Sequence, residues 1–141
     1  MTSVEERGPQ SAFIEQIGAE VEEWREGYVR MSLRVEERHM NVYGGMHGGV
    51  ATTIMDELTG SLIASVRGVE VMEETPHSTV EMSVSFIGGV AIGDDLVFEG
   101  KVIRVGRSVA FAEADVRKRG EGKLVASGKF TYVIMQPRSA A

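Results

Sequence analysis

The chain contains no cysteine in its 141 residues, which excludes disulfides, zinc thiolate sites and a thiol nucleophile together. That usage fits a reducing compartment. No apolar run approaches the ~20 residues of a membrane-spanning helix; the longest are short pieces such as Leu62-Ile63-Ala64. The first residues, Met1 to Glu6, are acidic and lack the apolar core of a secretion signal. These features lead to the expectation of a cytoplasmic protein with no membrane partner. The formal net charge of −6 argues against nucleic-acid binding, which needs a basic surface to displace counterions. Asparagine is scarcest of all the polar residues: Asn41 is the only one.

What is present is ordinary for a globular chain, with 43% hydrophobic and 26% charged residues. The length suits one domain over residues 1–141. Residues 10–18 read as a short helix, with Ser11 as cap and Gly18 as stop. Strand-like segments follow at about 19–25 and 27–36, broken at Gly27. Residues 48–67 read as one long helix, with Val50, Ile54, Leu58 and Leu62 forming an apolar stripe and Gly68 ending it. From about residue 78 the period changes to two, giving strands near 78–87, 95–105, 108–119 and 122–135. Gly106 and the Gly120–Gly122 pair mark hairpin turns, where glycine would supply positive φ. The tail from about residue 136 is expected to fray. This order predicts an α+β architecture, an antiparallel sheet with one helix on its face.

The strongest chemical signal is Asn41-Val-Tyr-Gly44-Gly-Met-His47-Gly48-Gly49, which runs straight into the long helix and reaches Asp56 two turns later. A helix N-terminus offers unpaired N–H groups and positive dipole potential to an anion or a polarised carbonyl. Gly48 and Gly49 allow close approach to that backbone. Around Asp56 the helix carries Thr52, Thr53, Thr59 and Gly60, small residues that suit a face covered by a second subunit or a ligand. Glu57 stands beside Asp56 as a second acid. Other chemistries are weaker. Gly106-Arg107-Ser108-Val109-Ala110 imitates a serine-hydrolase elbow but lies in a β-hairpin rather than a strand-to-helix turn. The Gly44–Gly49 stretch lacks the Gly-Lys-Ser/Thr ending of a phosphate-binding loop. His39, His47 and His77 come without an HExxH motif or acidic cluster, so no metal is expected. Lys101, Arg104, Arg107, Arg117, Lys118, Arg119 and Lys123 form either a polyphosphate patch or a set of solvated strand ends, and composition favours the latter.

The set Asn41, Gly44, His47-Gly48-Gly49 and Asp56 resembles that of the hotdog-fold acyl-CoA thioesterases of the PaaI (phenylacetate-degradation) type. The similarity continues through Thr79 to Phe86 and the hairpins Val102 to Val116 and Gly122 to Thr131, covering roughly residues 30–135. The resemblance implies a sheet wrapped around the long helix, and two subunits joined into one continuous sheet. It implies a homodimer, arranged as a dimer of dimers, acting on an acyl-CoA. Helix geometry adds that the active sites are shared between subunits, since Gly48 and Asp56 stand about 12 Å apart on one helix, too far to serve one thioester. CoA is then part of the substrate and no cofactor is needed. In that scheme the Gly48 N–H polarises the thioester carbonyl, Asn41 assists, and His47 braces the loop or the carbonyl. Asp56 activates a water or attacks directly. Thr79 helps orient the water, while Gly49, Arg107 and Ser108 contact the substrate. Two alternatives remain open at this level: another hotdog activity such as a hydratase or dehydratase, and a non-catalytic acyl-CoA sensor. Asp56 following the His-Gly-Gly argues against the first; binding without turnover would identify the second.

Overall fold

The computed structural model describes residues 8–137. Residues 138–141, the greater part of the tail expected to fray, lie outside them. The described residues open with α1 (Ala12–Ile17), then β1 (Glu20–Arg25) and β2 (Tyr28–Arg34). The long helix α2 (Gly48–Arg67) follows, then β3 (His77–Phe86), β4 (Asp95–Val105), β5 (Val109–Lys118) and β6 (Leu124–Ile134). The strands form one six-stranded antiparallel sheet in the order β1-β2-β4-β5-β6-β3. This is the expected α+β, hotdog-type arrangement.

Local sequence explains each element. In α1 the Ser11 hydroxyl accepts the Ile14 N–H at 3.2 Å, and Gly18 closes the helix at φ 90°. In β2 the alternation puts Val29, Met31 and Leu33 inward, all buried. The strand stops at Arg34, short of the expected residue 36. A 3-10 turn at Glu37–His39 takes over, because His39 turns its ring inward to satisfy backbone groups. The helix stripe holds for Ile54, Leu58 and Leu62, whose exposure is 0%, whereas Val50 is only half-buried.

The helix sits close on the sheet because the facing strand positions are small. On β5, Ala110, Ala112 and Ala114 point inward and are buried. Gly100 and Gly128 interrupt β4 and β6, and a Cβ on Gly128 would come within 3.1 Å of Met55. One at Gly100 would overlap Leu58. The two hairpin turns differ from each other. Gly120 and Gly122 do adopt positive φ, 85° and 68°, but Gly106 does not. Gly106 serves close approach instead: a Cβ there would stand 3.1 Å from the Val109 carbonyl.

The sheet's two edges are unlike. β1 is short, bulged between Val21 and Glu23, and carries Glu20, Glu22 and Glu23. β3 is ten residues long, carries one carboxylate at Glu81, and exposes Val80, Met82 and Phe86.

Candidate active site

The loop before α2 is a closed turn. Asn41 N–H donates to the Gly45 carbonyl at 2.7 Å, while the Asn41 side-chain oxygen accepts the Tyr43 and Gly45 N–H groups at 2.8 and 3.1 Å. Gly44 completes the turn at φ 87°. With its oxygen so occupied, Asn41 keeps its Nδ2 amide, which has no partner among the described residues. Buried His39 anchors the turn from below. Its Nε2 bonds the Ile17 carbonyl at 2.7 Å, and its own carbonyl accepts the His47 N–H at 2.8 Å.

At the helix start, His47 is the N-cap, and its Nδ1 accepts the Gly49 N–H at 2.8 Å. A neutral ring then carries its proton on Nε2, toward solvent. The Gly49 amide is thus used within the chain, and Gly49 offers a ligand only its missing side chain. The Gly48 N–H has no partner among the described residues. The first turn of the helix contains no acidic residue to offset the positive dipole end. The Phe86 ring covers one side of Gly48, within 3.1 Å of where a Cβ would be.

Asp56 lies eight residues further along the helix, about 12 Å away at 1.5 Å per residue. Its Oδ1 accepts the Thr79 hydroxyl at 2.6 Å, while Oδ2 has no partner among the described residues. Sequence reasoning gave no role to Tyr132, yet its phenol lies 2.7 Å from the Asp56 carbonyl and 3.2 Å from Asp56 Oδ1. Thr59, expected on a face covered by a second subunit or a ligand, is covered instead by this chain's own sheet, and its hydroxyl is 2.7 Å from the same phenol. Burial and the neighbouring Asp56 charge push the Tyr132 phenol far above its ordinary pKa, so it stays protonated. The signal for Tyr132 was its inward position in β6 between Phe130 and Ile134, since a buried tyrosine needs a partner for its hydroxyl.

His77 extends the cluster. Its Nε2 donates to the Gly60 carbonyl at 2.8 Å and its Nδ1 accepts from Arg67 at 2.9 Å. Burial lowers its pKa; the Gly60 bond opposes this and the Arg67 charge adds to it. Asp56, Gly60, Ser61, Met72, His77 and Thr79 line an open cleft of about 480 Å³. Glu57 is engaged elsewhere, accepting the Ser11 N–H at 2.7 Å and the Ser11 hydroxyl at 3.1 Å.

Arg107 and Ser108 sit exposed in the β4–β5 turn. That turn meets the end of β6, where the Ile134 N–H donates to the Ser108 carbonyl. It is therefore on the Asp56 side of the chain, and the fold does not bring it to Gly48. The basic residues do not gather into a patch. Lys101 pairs with Glu113, Arg117 with Asp115, Lys118 with Asp94, and Arg119 with Glu22 and Asp95. No helix among the described residues is long and apolar enough to cross a membrane.

Residues 43–125 match the family model described as "Thioesterase superfamily". The chain belongs to the thioesterase superfamily. It is 32% identical over 106 residues to acyl-coenzyme A thioesterase 13 of Homo sapiens, covering 74% of this chain and 71% of that one. Among solved structures, zebra fish thioesterase superfamily member 2 superposes with a TM-score of 0.79 at 30% identity, over 89% of this chain and 88% of that one. A hypothetical thioesterase from Streptococcus pneumoniae TIGR4, solved with coenzyme A, gives 0.75 at 25% identity, over 86% and 89%.

Proposed function

We propose that this protein hydrolyses an acyl-CoA thioester to a free acid and CoA. The observation that carries the reading is the contrast within α2: an uncommitted amide at Gly48, and a carboxylate at Asp56 held by one oxygen with the other open to a cleft. The name of the human relative and the coenzyme A in the Streptococcus pneumoniae structure support CoA esters as the substrate class.

The chemistry divides between those two places. The Gly48 N–H, helped by the Asn41 amide and the outward Nε2–H of His47, stabilises the oxyanion that forms at the thioester carbonyl. Asp56 takes the proton of an attacking water, or attacks the carbonyl carbon itself, with Thr79 steadying its other oxygen. When the tetrahedral intermediate collapses, the C–S bond breaks and the CoA sulfur leaves as the thiol, taking the proton that Asp56 accepted from water. In the direct-attack route the acyl group stays on Asp56 as a mixed anhydride, the thiolate takes a proton from solvent, and a water then hydrolyses the anhydride to the free acid.

One helix cannot supply both groups to one thioester. About 12 Å separates their backbones, whereas reacting atoms must come within ~3–3.5 Å. A two-fold axis that sets a second copy's helix antiparallel to the first places its Asp56 opposite this Gly48, and generates two equivalent sites. The edge strand β3 supports that pairing. It is ten residues long, carries a single carboxylate and exposes Val80, Met82 and Phe86, the kind of edge that stays unpaired only with protection. Exposed Phe111 and Val133 on the sheet's outer face are the apolar material for a further pairing into a dimer of dimers.

The test is a panel of short, medium, long and aryl acyl-CoAs, followed by thiol release with a disulfide reagent; a chain without cysteine adds no background. Hydrolysis of part of the panel is the expected result. Tight binding across the panel with no turnover would replace this reading with that of an acyl-CoA sensor.

A further inference from the structure

Building on the hydrolytic reading above, we propose that Tyr132 is a positioning residue for Asp56: its phenol fixes the carboxylate in the orientation that leaves Oδ2 to the cleft. The carboxylate torsion of an aspartate is broad and roughly two-fold, so the single bond from Thr79 would let the group pivot about Oδ1. The phenol removes that freedom. Its oxygen stands 2.7 Å from the backbone carbonyl and 3.2 Å from Oδ1 of the same residue, so one hydroxyl faces both oxygens at once. Thr79 and Tyr132 are directly paired across β3 and β6. A single rung of the sheet therefore brings both hydroxyls to Asp56: Thr79 donates to Oδ1, and the phenol shares its one proton between the nearer backbone carbonyl and Oδ1.

The phenol's own place is fixed from three directions. The Thr59 hydroxyl lies 2.7 Å from it. The tyrosine ring meets the His77 ring edge-on, with centroids 5.5 Å apart, and His77 is pinned in turn by Gly60 and Arg67. Gly60 lies against it on the helix side, where even a Cβ would make ordinary contact at 3.4 Å from the phenol oxygen. The phenol serves only as a neutral group, since burial and the Asp56 charge keep it protonated.

Tyr132→Phe keeps the ring and removes the hydroxyl. Its kcat on the best thioester of the panel should fall by about 10-fold with KM within about twofold, as expected when a reacting group loses orientation while the substrate contacts remain. A folded Tyr132→Phe with wild-type kcat overturns the proposal. If that variant does not fold, Thr59→Val keeps Tyr132 and removes a hydroxyl that steadies it; kcat should fall in the same sense, and an unchanged value is equally fatal. Should the wild-type protein hydrolyse no thioester, the hydrolytic reading fails by itself. The crystal structure of Tyr132→Phe then decides: a carboxylate spread over two rotamers supports the role, and an Asp56 unmoved and singly ordered refutes it.

Discussion

The Thr79 hydroxyl reaches across from the edge strand to the middle of the helix and meets an Asp56 carboxylate oxygen at 2.6 Å. This bond joins two positions 23 residues apart in the chain. It uses one carboxylate oxygen and leaves the other available, and the expected roles of both residues depend on that asymmetry.

Asp56→Asn keeps the shape and removes the base, so turnover should fall by about 10²-fold or more. Glu57→Gln should leave turnover near wild type. It weakens the Ser11 contacts at the start of α1 and should lower the melting temperature instead. If steady-state kinetics showed Glu57→Gln to be the crippling change, the acid would have been misassigned.

Gly48→Ala separates stability from activity. The position is the first residue of the helix and has no positive φ, so alanine is allowed there and favours the helix. Its methyl group would press on the Phe86 ring at 3.1 Å and crowd the uncommitted amide. Thermal melting should therefore show little loss while kcat/KM drops by about 10-fold or more, short of the ~10²–10³ that follows outright removal of an oxyanion donor, because the N–H itself remains. Equal kcat/KM in variant and parent would move the oxyanion site away from Gly48.

Mixing separately inactive Asn41→Ala and Asp56→Ala proteins tests whether sites are shared. Random exchange makes half of the dimers mixed, and each mixed dimer has one intact site of its two. Activity should recover to about a quarter of wild type by symmetry counting. With exchange verified by mass-tagged subunits, activity remaining at the level of the parents would sink the shared-site arrangement.

The neutral His77 makes stability depend on pH. Burial holds its folded-state pKa below the unfolded value, so the unfolded chain takes up the proton first. The contribution is complete above the unfolded value, ~6.5, and is lost as pH falls from there through the folded value. Protonation also turns Nδ1 from an acceptor for Arg67 into a second donor facing it. Melting curves at pH 7.5 and 5.5 should show a larger drop for wild type than for His77→Gln. Equal drops would remove His77 as the source.

Legibility varied with range along the chain. All the regular helices and strands follow from local signals: Ser11 and Gly18 bracket α1, Gly68 ends α2, and the alternation in β2 sets its inward face. The strand order did not follow, because the β2–β4 and β3–β6 pairings join residues far apart and leave no local trace. The same separation hid Tyr132, 76 residues from its partner Asp56. Small neighbours put Thr59 on a covered face, but what covers it is β6 of the same chain rather than a subunit or ligand, because helical spacing gives direction but not what lies opposite. Gly106 shows a different limit. Glycine marked the turn correctly, but positive φ and close approach look identical in sequence.

The unlike edges of the sheet also set where assembly ends. A strand edge that attracts copies of itself on both sides builds an open-ended fibre. In this molecule only β3 invites a neighbour, and joining two copies along it consumes both inviting edges. What would then face outward at each end is β1, short and bulged, with charged side chains in which Glu22 and Glu23 are paired with arginines, so a newcomer meets solvated ion pairs and a distorted ladder. Growth along the sheet would stop at two. In that arrangement the charged, bulged first strand would act as the terminator, and a variant with Glu20, Glu22 and Glu23 replaced by apolar residues would be expected to form higher-order sheets in light scattering while leaving the cleft around Asp56 untouched.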